Sequence, residues 1–257
     1  MYHRVVDSSS RPRYSLIIPA YNEEHYLPRL LDSVDKARVA YSQGPETVEV
    51  IVADNGSTDD TVKVATARGC KVVQVEKRII GAVRNGGAAS ARGEILAFID
   101  ADSEIHPNTF DEIDKALATG RYVAGTTGLR MERWSLGIAA TYAIMVPMAI
   151  LMKMDSGVVF CRRDDFETVG GYNEDRLFAE DVQFLWDLRR LGKGRKQRLV
   201  RVRTIKALGS TRKWDRHGEW HYITQVFRLA WLMFRSPSAH NKLARNYWYK
   251  DDRRDPP

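Results

Sequence analysis

Two aspartates one residue apart, Asp100 and Asp102, have the spacing in this sequence most suggestive of chemistry. They come directly after Ile95–Ile99, an apolar run that predicts a buried strand. Carboxylates crowded at the end of a buried strand carry a desolvation penalty, which a divalent cation relieves. Mg²⁺ and Mn²⁺ commonly bind one or two carboxylates together with waters and substrate phosphate oxygens. The pair therefore predicts a cation site, and the alternative is a solvated turn that caps the next helix.

Two further polar clusters follow predicted strands. Pro19–Glu23 comes after Tyr14–Ile18, a strand that we expect to stop at Pro19, and Asp54–Ser57 comes after Val48–Ala53. Because open parallel sheets bind ligands beyond the carboxyl ends of their strands, the three clusters predict one shared pocket. Neither Gly-x-Gly-x-x-Gly nor a Walker loop follows the first strand. The usual dinucleotide and ATPase sites therefore lack their phosphate cradle here.

These clusters must be positioned by an α/β framework. Apolar periodicity over the first hundred residues alternates between strands and helices, which predicts a mostly parallel sheet covered by helices. The predicted helices include 24–40, 60–68, 84–92, 108–118 and 180–191, the last ending at Gly192, and later strands are expected at 71–75, 122–124 and 158–160. The second half of the chain is less regular than the first.

Several segments carry, in order, the motifs of a known family: Ser15–Glu24, Val52–Asp60, Gly81–Gly87, Ala91–Asp102, Gly170–Glu174 and Glu180–Asp181. Over about residues 14–215 the chain resembles glycosyltransferase family 2, the inverting transferases on the GT-A fold. The resemblance implies a single Rossmann-like, mostly parallel sheet flanked by helices, here with a C-terminal helical extension. It also implies transfer of a sugar from a nucleotide-sugar to an acceptor hydroxyl, with UDP the favoured donor nucleotide and GDP next.

The resemblance assigns the donor site residue by residue. Its nucleotide-sugar contacts are expected at Pro19, Ala20, Tyr21, Glu23, Asp54, Asn55, Gly56, Arg84, Asp100 and Ala101. Within this set, Asp54 matches the acid beside the base and Arg84 the basic residue beside the nucleotide. Asp100 would face the ribose and the metal, while Asp102 would bind the Mn²⁺ or Mg²⁺ held on the diphosphate.

The expected catalytic residue is Asp181, which matches the base of the family, with Glu180 beside it in support. A carboxylate facing the anomeric carbon can take the proton of the incoming hydroxyl. One base with direct displacement predicts inversion at that carbon. From the residues alone, Asp181 could equally be a simple N-terminal helix cap.

A basic segment near the end of the resemblance, Ser210–Trp214, is similar to the family's basic-aromatic segment near the diphosphate. Arg212 and Lys213 are therefore expected to bind the donor. The segment lacks the longer form of processive enzymes, which argues against a polymerase. His217 is a candidate further metal ligand because histidine suits Mn²⁺, and the alternative is a solvated histidine.

The composition of the chain favours anionic partners but does not identify one. The 257 residues include 40 Lys and Arg against 33 Asp and Glu, a net charge of +7 that favours anionic ligands. Two other functions stay open at this point. A nucleotidyltransferase that makes nucleotide-sugars would need a Gly-rich, Arg-containing loop where Pro19–Asn22 stands. A non-catalytic module binding membranes or nucleic acid would explain the charge but not the clustered acids, so we expect no nucleic-acid partner.

Apolar segments suggest a membrane-proximal acceptor. Leu136–Met152 is just short of the roughly 20 residues that span a bilayer, and Trp220–Phe234 predicts an amphipathic helix followed by a basic tail. We expect peripheral association with an anionic membrane and an acceptor that is lipid-linked. Because Met1–Arg13 shows no secretory signal, the expected place is the cytoplasm, at the inner membrane face. The predicted division is a donor-binding half (1–105), an acceptor and catalytic half (106–215), and the helix with its tail (216–257).

Overall fold

The computed structural model describes residues 11–152, 157–176 and 179–220. Within these residues one sheet of eight strands has the order β3-β2-β1-β4-β7-β6-β8-β5. The strands are β1 Tyr14–Ala20, β2 Val48–Asp54, β3 Lys71–Gln74, β4 Ile95–Phe98, β5 Ser103–Glu104, β6 Tyr122–Met131, β7 Val159–Arg162 and β8 Arg198–Gly209. Strands from both predicted halves thus share one sheet.

Helices flank this sheet on both faces. They are α1 Leu27–Ala40, α2 Thr61–Ala67, α3 Ile80–Ala89, α4 Thr109–Ala118, α5 Leu136–Met152, α6 Arg163–Val169, α7 Glu180–Gly194 and α8 Arg212–His217. Strands β1 to β4 run parallel, while β7 is antiparallel to both of its neighbours, β4 and β6. The predicted α/β class with a mostly parallel sheet is confirmed.

The core forms on both sides of β1, whose seven residues are all buried. Leu16 and Ile18 pack in one cluster with α1 and α4, while Ile17 packs in another with Phe98 and Phe184. Successive strand residues point to opposite faces, so a strand covered on both faces is mostly apolar, and a buried polar residue needs a partner. This explains the apolar run at the centre of β1, while the buried Ser15 donates its hydroxyl to Glu49.

The expectation that β1 stops at Pro19 is wrong. The strand continues to Ala20, with Pro19 in register with Ala53 of β2. The carbonyl of Ile17 accepts from Ile99 on the β4 side, so the missing N–H of Pro19, two residues on, also faces that side. Since β4 is registered only as far as Ile17, the proline removes no ladder hydrogen bond.

Other boundaries differ for identifiable reasons. Helix α7 continues through Gly192, which packs so closely on Val123 that a Cβ there would lie 2.7 Å from its Cγ1. Glycine therefore serves packing at this point and not termination. Strand β8 was not predicted, because its register with β6 shifts between Val202 and Lys206 and this bulge interrupts the alternation. Helix α6, seven residues long, was also missed.

The segments predicted to meet a membrane are only partly described. Helix α5 spans the predicted Leu136–Met152. Among the residues that the structure describes, no helix combines the length and the apolar character needed to cross a bilayer. Most of the predicted helix Trp220–Phe234, and the basic tail after it, lie outside the described residues.

Candidate active site

The guanidinium of Arg84 gathers three carboxylates at the edge of the sheet. Its Nη1 donates to Glu180 at 2.7 Å and to Asp181 at 2.8 Å, and its Nη2 donates to Asp100 at 2.9 Å. Arg84 is only 6% exposed, and its guanidinium lies over the ring of Tyr172 at 5.2 Å. The structure therefore brings together the predicted base, its neighbour and one predicted metal ligand, although they lie far apart in the sequence.

Helix α3 places Arg84 through a series of close contacts. The side-chain amide of Asn85 donates to the carbonyl of Tyr172, and its oxygen accepts from the Tyr172 amide. Gly87 packs on β1, where a Cβ would lie 2.6 Å from Cγ2 of Ile17. These contacts explain why the segment Gly81–Gly87 combines an arginine, an asparagine and small residues.

The carboxylate pair at the start of α7 is set by an unusual backbone. Ala179, which precedes Glu180, has a left-handed φ of +55°. A non-glycine residue in this region costs on the order of 1–3 kcal/mol, which the surrounding contacts must offset. The conformation starts the helix so that Glu180 and Asp181 both reach Arg84.

The pKa values of Asp181 and Asp100 are shifted in opposite directions. Burial raises the pKa of Asp181 to about 7; Arg84 opposes this shift, while Glu180 and Asp100 add to it. Partial burial works in the same direction on Asp100, but Arg84 and Lys213 outweigh it and hold the pKa of Asp100 below its usual value. Asp181 is thus the acid of this cluster poised to exchange a proton near neutral pH.

A second cation, Arg212, links two of the predicted donor-binding loops. Its two Nη atoms donate to the Glu23 carboxylate, each at 2.7 Å, and its Nε lies 2.9 Å from Oδ2 of Asp102. The guanidinium also stacks over the ring of Tyr26 at 4.7 Å. Glu23 is only 4% exposed and Arg212 is 21% exposed, so the pair is largely removed from water. Asp100 and Asp102, one residue apart, therefore pair with different arginines.

The backbone that carries Arg212 is itself anchored. The amide and hydroxyl of Thr211 both donate to Glu132, which also pairs with Arg29 at 2.8 Å. Further along, Arg133 pairs with Glu219 at 2.9 Å. The start of α8 is thus attached to the end of β6 and to α1, so Arg212 projects from a fixed position.

The loops after β1 and β2 hold each other in place. The Asn22 amide donates to the Ser57 hydroxyl at 3.0 Å, and the Thr58 amide donates to Oδ1 of Asn22 at 2.8 Å. Asp54 is buried and accepts from the amides of Gly56 and Ser57, which folds its loop into a tight turn. This pairing fixes the edge of the groove predicted to take the base and ribose.

The remaining predicted donor contacts fall around the same edge. The side-chain amide of Asn55 donates to the carbonyl of Val75 at 2.5 Å, which makes Asn55 a tie between β2 and the segment after β3. Arg78 lies over the ring of Tyr21 at 5.1 Å. Ala20 and Ala101 are buried. His217 ends α8, and its side chain lies outside the described part of the chain.

Asp100 and Asp102 suit a hard divalent cation only if a bound ligand supplies further oxygen atoms. No group of three or more His, Cys, Asp or Glu in the described residues is arranged to hold a metal. Asp100 remains 57% exposed, and Asp102, 17% exposed, already attracts a cationic partner in Arg212. Two carboxylates with an open side match the way Mg²⁺ and Mn²⁺ bind, with phosphate oxygens and water completing the shell.

Some residues of the site were missed from the sequence. Tyr172 beneath Arg84, Asn85 at its side and Glu132 behind Arg212 were given no role. Asn85 and Tyr172 lie inside motifs that were noticed, so their position beside the expected residues was the available signal. Glu132 lies in no such motif, because its role depends on β6 and α8 meeting in space.

A mostly parallel α/β sheet with acidic and basic residues gathered beyond its strands belongs to the class of folds that bind ligands at that edge. Comparison of the sequence with known proteins narrows the class further. Residues 15–142 match the family described as "Glycosyl transferase family 2". The chain belongs to this family.

Similarity to curated relatives is confined to part of each. Dolichyl-phosphate beta-glucosyltransferase of Drosophila melanogaster is 37% identical over 122 residues, which cover 44% of this chain and 37% of the relative. The putative glycosyltransferase EpsH of Bacillus subtilis is 34% identical over 107 residues, covering 40% of this chain and 29% of EpsH. The matches thus span less than half the length of these relatives.

Solved structures share the fold more widely. S. aureus TarS superposes with a TM-score of 0.62 at 20% identity, covering 77% of this chain and 37% of TarS. Glucosyl-3-phosphoglycerate synthase from Mycobacterium tuberculosis, in complex with Mn²⁺, UDP and phosphoglyceric acid, gives a TM-score of 0.53 at 25% identity, covering 77% of this chain and 70% of the synthase. The mixed, mostly parallel sheet flanked by helices is the GT-A fold of these glycosyltransferases.

Proposed function

We propose that this protein transfers a sugar from a nucleotide-sugar, most favourably UDP-linked, to an acceptor hydroxyl, with a divalent cation and inversion at the anomeric carbon. The observation that carries the proposal is the junction at Arg84, where Asp181, Glu180 and Asp100 meet. It joins the proposed base to the proposed metal and ribose side of the site. Family membership and the complexes of related folds with UDP-GlcNAc and with GDP-mannose and Mn²⁺ support it.

In the proposed reaction, Asp181 accepts the proton of the acceptor hydroxyl, and Arg84 with Glu180 orients its carboxylate. The raised pKa of Asp181 suits this role, because a base works best when its pKa lies near the working pH. Asp100 and Asp102 would hold Mn²⁺ or Mg²⁺, and the bound ion would supply positive charge to neutralise the departing diphosphate. Arg212 and Lys213 add positive charge on the same side.

The donor loops would fix the nucleotide. Asp54 lies buried at the end of β2, where the family resemblance puts the acid that contacts the base. The cross-linked loops at Asn22 and Ser57 support a preformed groove for base and ribose, alongside Tyr21. A preformed groove lowers the entropy lost on binding.

A direct test is a screen of UDP- and GDP-sugars with and without MnCl₂, followed by thermal unfolding. Binding to the native state raises the unfolding temperature by mass action, so a matching donor should stabilise the protein in a Mn²⁺-dependent way. Release of UDP or GDP on adding acceptor extracts would then confirm turnover. The absence of any Mn²⁺-dependent shift across both donor series would sink the proposal.

Two other functions are less well supported. Nucleotidyl transfer is less well supported because the chain lacks the Gly-rich loop that such enzymes need after the first strand. Non-catalytic binding of nucleic acid or membranes would not explain why three acids surround one buried arginine. Formation of a nucleotide-sugar from a sugar phosphate and UTP would favour the first of these. Binding of RNA or vesicles by a protein without donor hydrolysis or transfer would favour the second.

The proposed acceptor is lipid-linked or lies close to a membrane, with the protein resting on the cytoplasmic face. Support comes from the apolar character of α5, where Ile144 is exposed, and from relatives named dolichyl-phosphate beta-glucosyltransferase. Apolar side chains beside basic charge favour binding to an anionic bilayer. Flotation with vesicles of anionic and neutral lipid tests this, and a protein that stays at the bottom of both gradients would refute it.

A further inference from the structure

The guanidinium of Arg212 is fully engaged by protein carboxylates. Both Nη atoms bind Glu23, and Nε lies against Asp102, so each nitrogen of the group faces an acid. Under the proposed function, the same guanidinium is expected to meet the diphosphate and Asp102 is expected to bind the cation. Neither role is compatible with the Arg212–Asp102 contact as it stands, because a divalent cation at Asp102 would lie beside a guanidinium and repel it.

The two acids hold Arg212 unequally. The bond to Glu23 is bidentate, nearly buried and backed by the ring of Tyr26, which makes it the stronger of the two. The contact with Asp102 is a single one through Nε, on the more open side. Since Thr211 fixes the backbone, Arg212 can change partners by a small movement of its side chain about the Glu23 pair.

Charge balance decides when that exchange is favourable. A cation alone would take Asp102 and lie beside Arg212, which stays paired with Glu23, so two positive groups would face each other with no added anion. A diphosphate alone would approach a guanidinium that is already neutralised. Cation and diphosphate together give Asp102 a new positive partner and Arg212 a new negative one.

We propose, building on the proposed function, that Arg212 acts as an internal counter-ion of Asp102 and makes the binding of cation and nucleoside diphosphate mutually dependent. The site would bind a free divalent ion weakly and bind it more tightly together with the donor. This dependence adds to the direct attraction between metal and phosphate. By thermodynamic linkage, whatever factor the diphosphate adds to cation affinity the cation adds to diphosphate affinity.

The test is calorimetry of MnCl₂ binding with and without UDP. The wild-type protein should bind Mn²⁺ weakly alone and at least roughly tenfold more tightly with UDP. In Arg212→Ala, Mn²⁺ alone should bind roughly fivefold more tightly than in the wild type, while the UDP-induced gain shrinks. A variant that merely disturbed the structure would weaken Mn²⁺ binding, so the opposite direction is the informative one.

Lys213→Ala is the matched control, because it removes an equal charge that acts on Asp100 from the neighbouring position. It should tighten binding of Mn²⁺ alone by roughly twofold or less. Arg212→Lys, which keeps the charge, should stay near the wild type, and Arg212→Gln serves if the alanine variant unfolds.

Equal affinity of Arg212→Ala and Lys213→Ala for Mn²⁺ alone would overturn the counter-ion role while leaving the proposed function intact. Failure of the wild type to bind Mn²⁺ even with UDP would overturn the cation site itself, and the inference with it.

Discussion

Replacing Arg84 by methionine would remove the one guanidinium shared by Asp100, Glu180 and Asp181 while keeping most of the apolar stem. Leaving a buried carboxylate without its cation typically costs about 3–5 kcal/mol. Asp100 is 57% exposed and Asp181 is 35% exposed, so solvent screens part of this effect and we expect the lower end, about 3 kcal/mol at pH 7. For a chain of this size that corresponds to an unfolding temperature roughly 6–12 °C lower.

The stability lost in Arg84→Met should depend on pH. Without Arg84, the pKa of Asp181, which is already raised in the folded state, rises further, and the pKa of Asp100 is no longer held below its usual value by this guanidinium. The folded variant then binds protons that the unfolded chain does not. Its stability therefore recovers as the pH falls from 8 towards 5 and is lowest above the raised pKa values. The wild type, with the guanidinium present, should recover less over the same range.

Urea unfolding at pH 5, 6, 7 and 8, followed by circular dichroism, measures this difference. Arg92→Met is the matched control, since Arg92 is 67% exposed and its partner Glu49 keeps hydrogen bonds from Ser15 and the Gly93 amide. It should cost less than about 1 kcal/mol at every pH. A deficit for Arg84→Met that is equally small and independent of pH would refute the reasoning about the shared guanidinium.

Four further outcomes are expected. Asp102→Ala should keep the fold, shown by an unchanged circular dichroism spectrum, but lose Mn²⁺-dependent stabilisation and turnover; full turnover in this variant would exclude the metal site. Asp181→Asn should lower kcat roughly 10²- to 10⁴-fold with little change in UDP affinity by calorimetry, and a weakened UDP affinity with normal kcat would exclude the base role. Because the pKa of Asp181 is raised to about 7, kcat/KM should climb through neutral pH as the carboxyl ionises, and a profile flat from pH 5 to 8 would contradict it. Gly87→Val should lower the free energy of unfolding in urea by about 1–3 kcal/mol, because the new side chain collides with Ile17. Gly69→Ala is the comparison variant: its new side chain meets no neighbour but its φ is left-handed, so it measures backbone strain without crowding.

Much of the framework could be predicted from the sequence because its signals are local. The apolar runs that became β1, β2 and β4 are buried on both faces, and such runs need no distant partner to be recognised. The acidic residues at their ends could be placed at one edge because parallel strands all finish there. The family motifs then gave roles to residues such as Asp181, and these roles stay predictions.

The rest depends on contacts between distant segments. Strand β8 lies between β6 and β5, and its bulge disturbs the alternation that would have revealed it. The pairing of Arg212 with Glu23 joins residues 189 positions apart, which no spacing within a motif could indicate. The strand was predicted to end at Pro19 because proline cannot donate a hydrogen bond to a neighbouring strand. No such bond is needed there, since β4 is paired with β1 only as far as Ile17, and the sequence does not show where β4 stops.

Helix α3 has no spare rotational freedom. Arg84 pairs with the acids, Asn85 exchanges hydrogen bonds with Tyr172, and Gly87 packs on β1. Three nearly consecutive positions therefore contact three different neighbours. An inserted or deleted residue ahead of Arg84 would turn the following side chains by about 100° and aim all three at the wrong target. A change of length in the first turn of this helix should therefore disrupt all three contacts together.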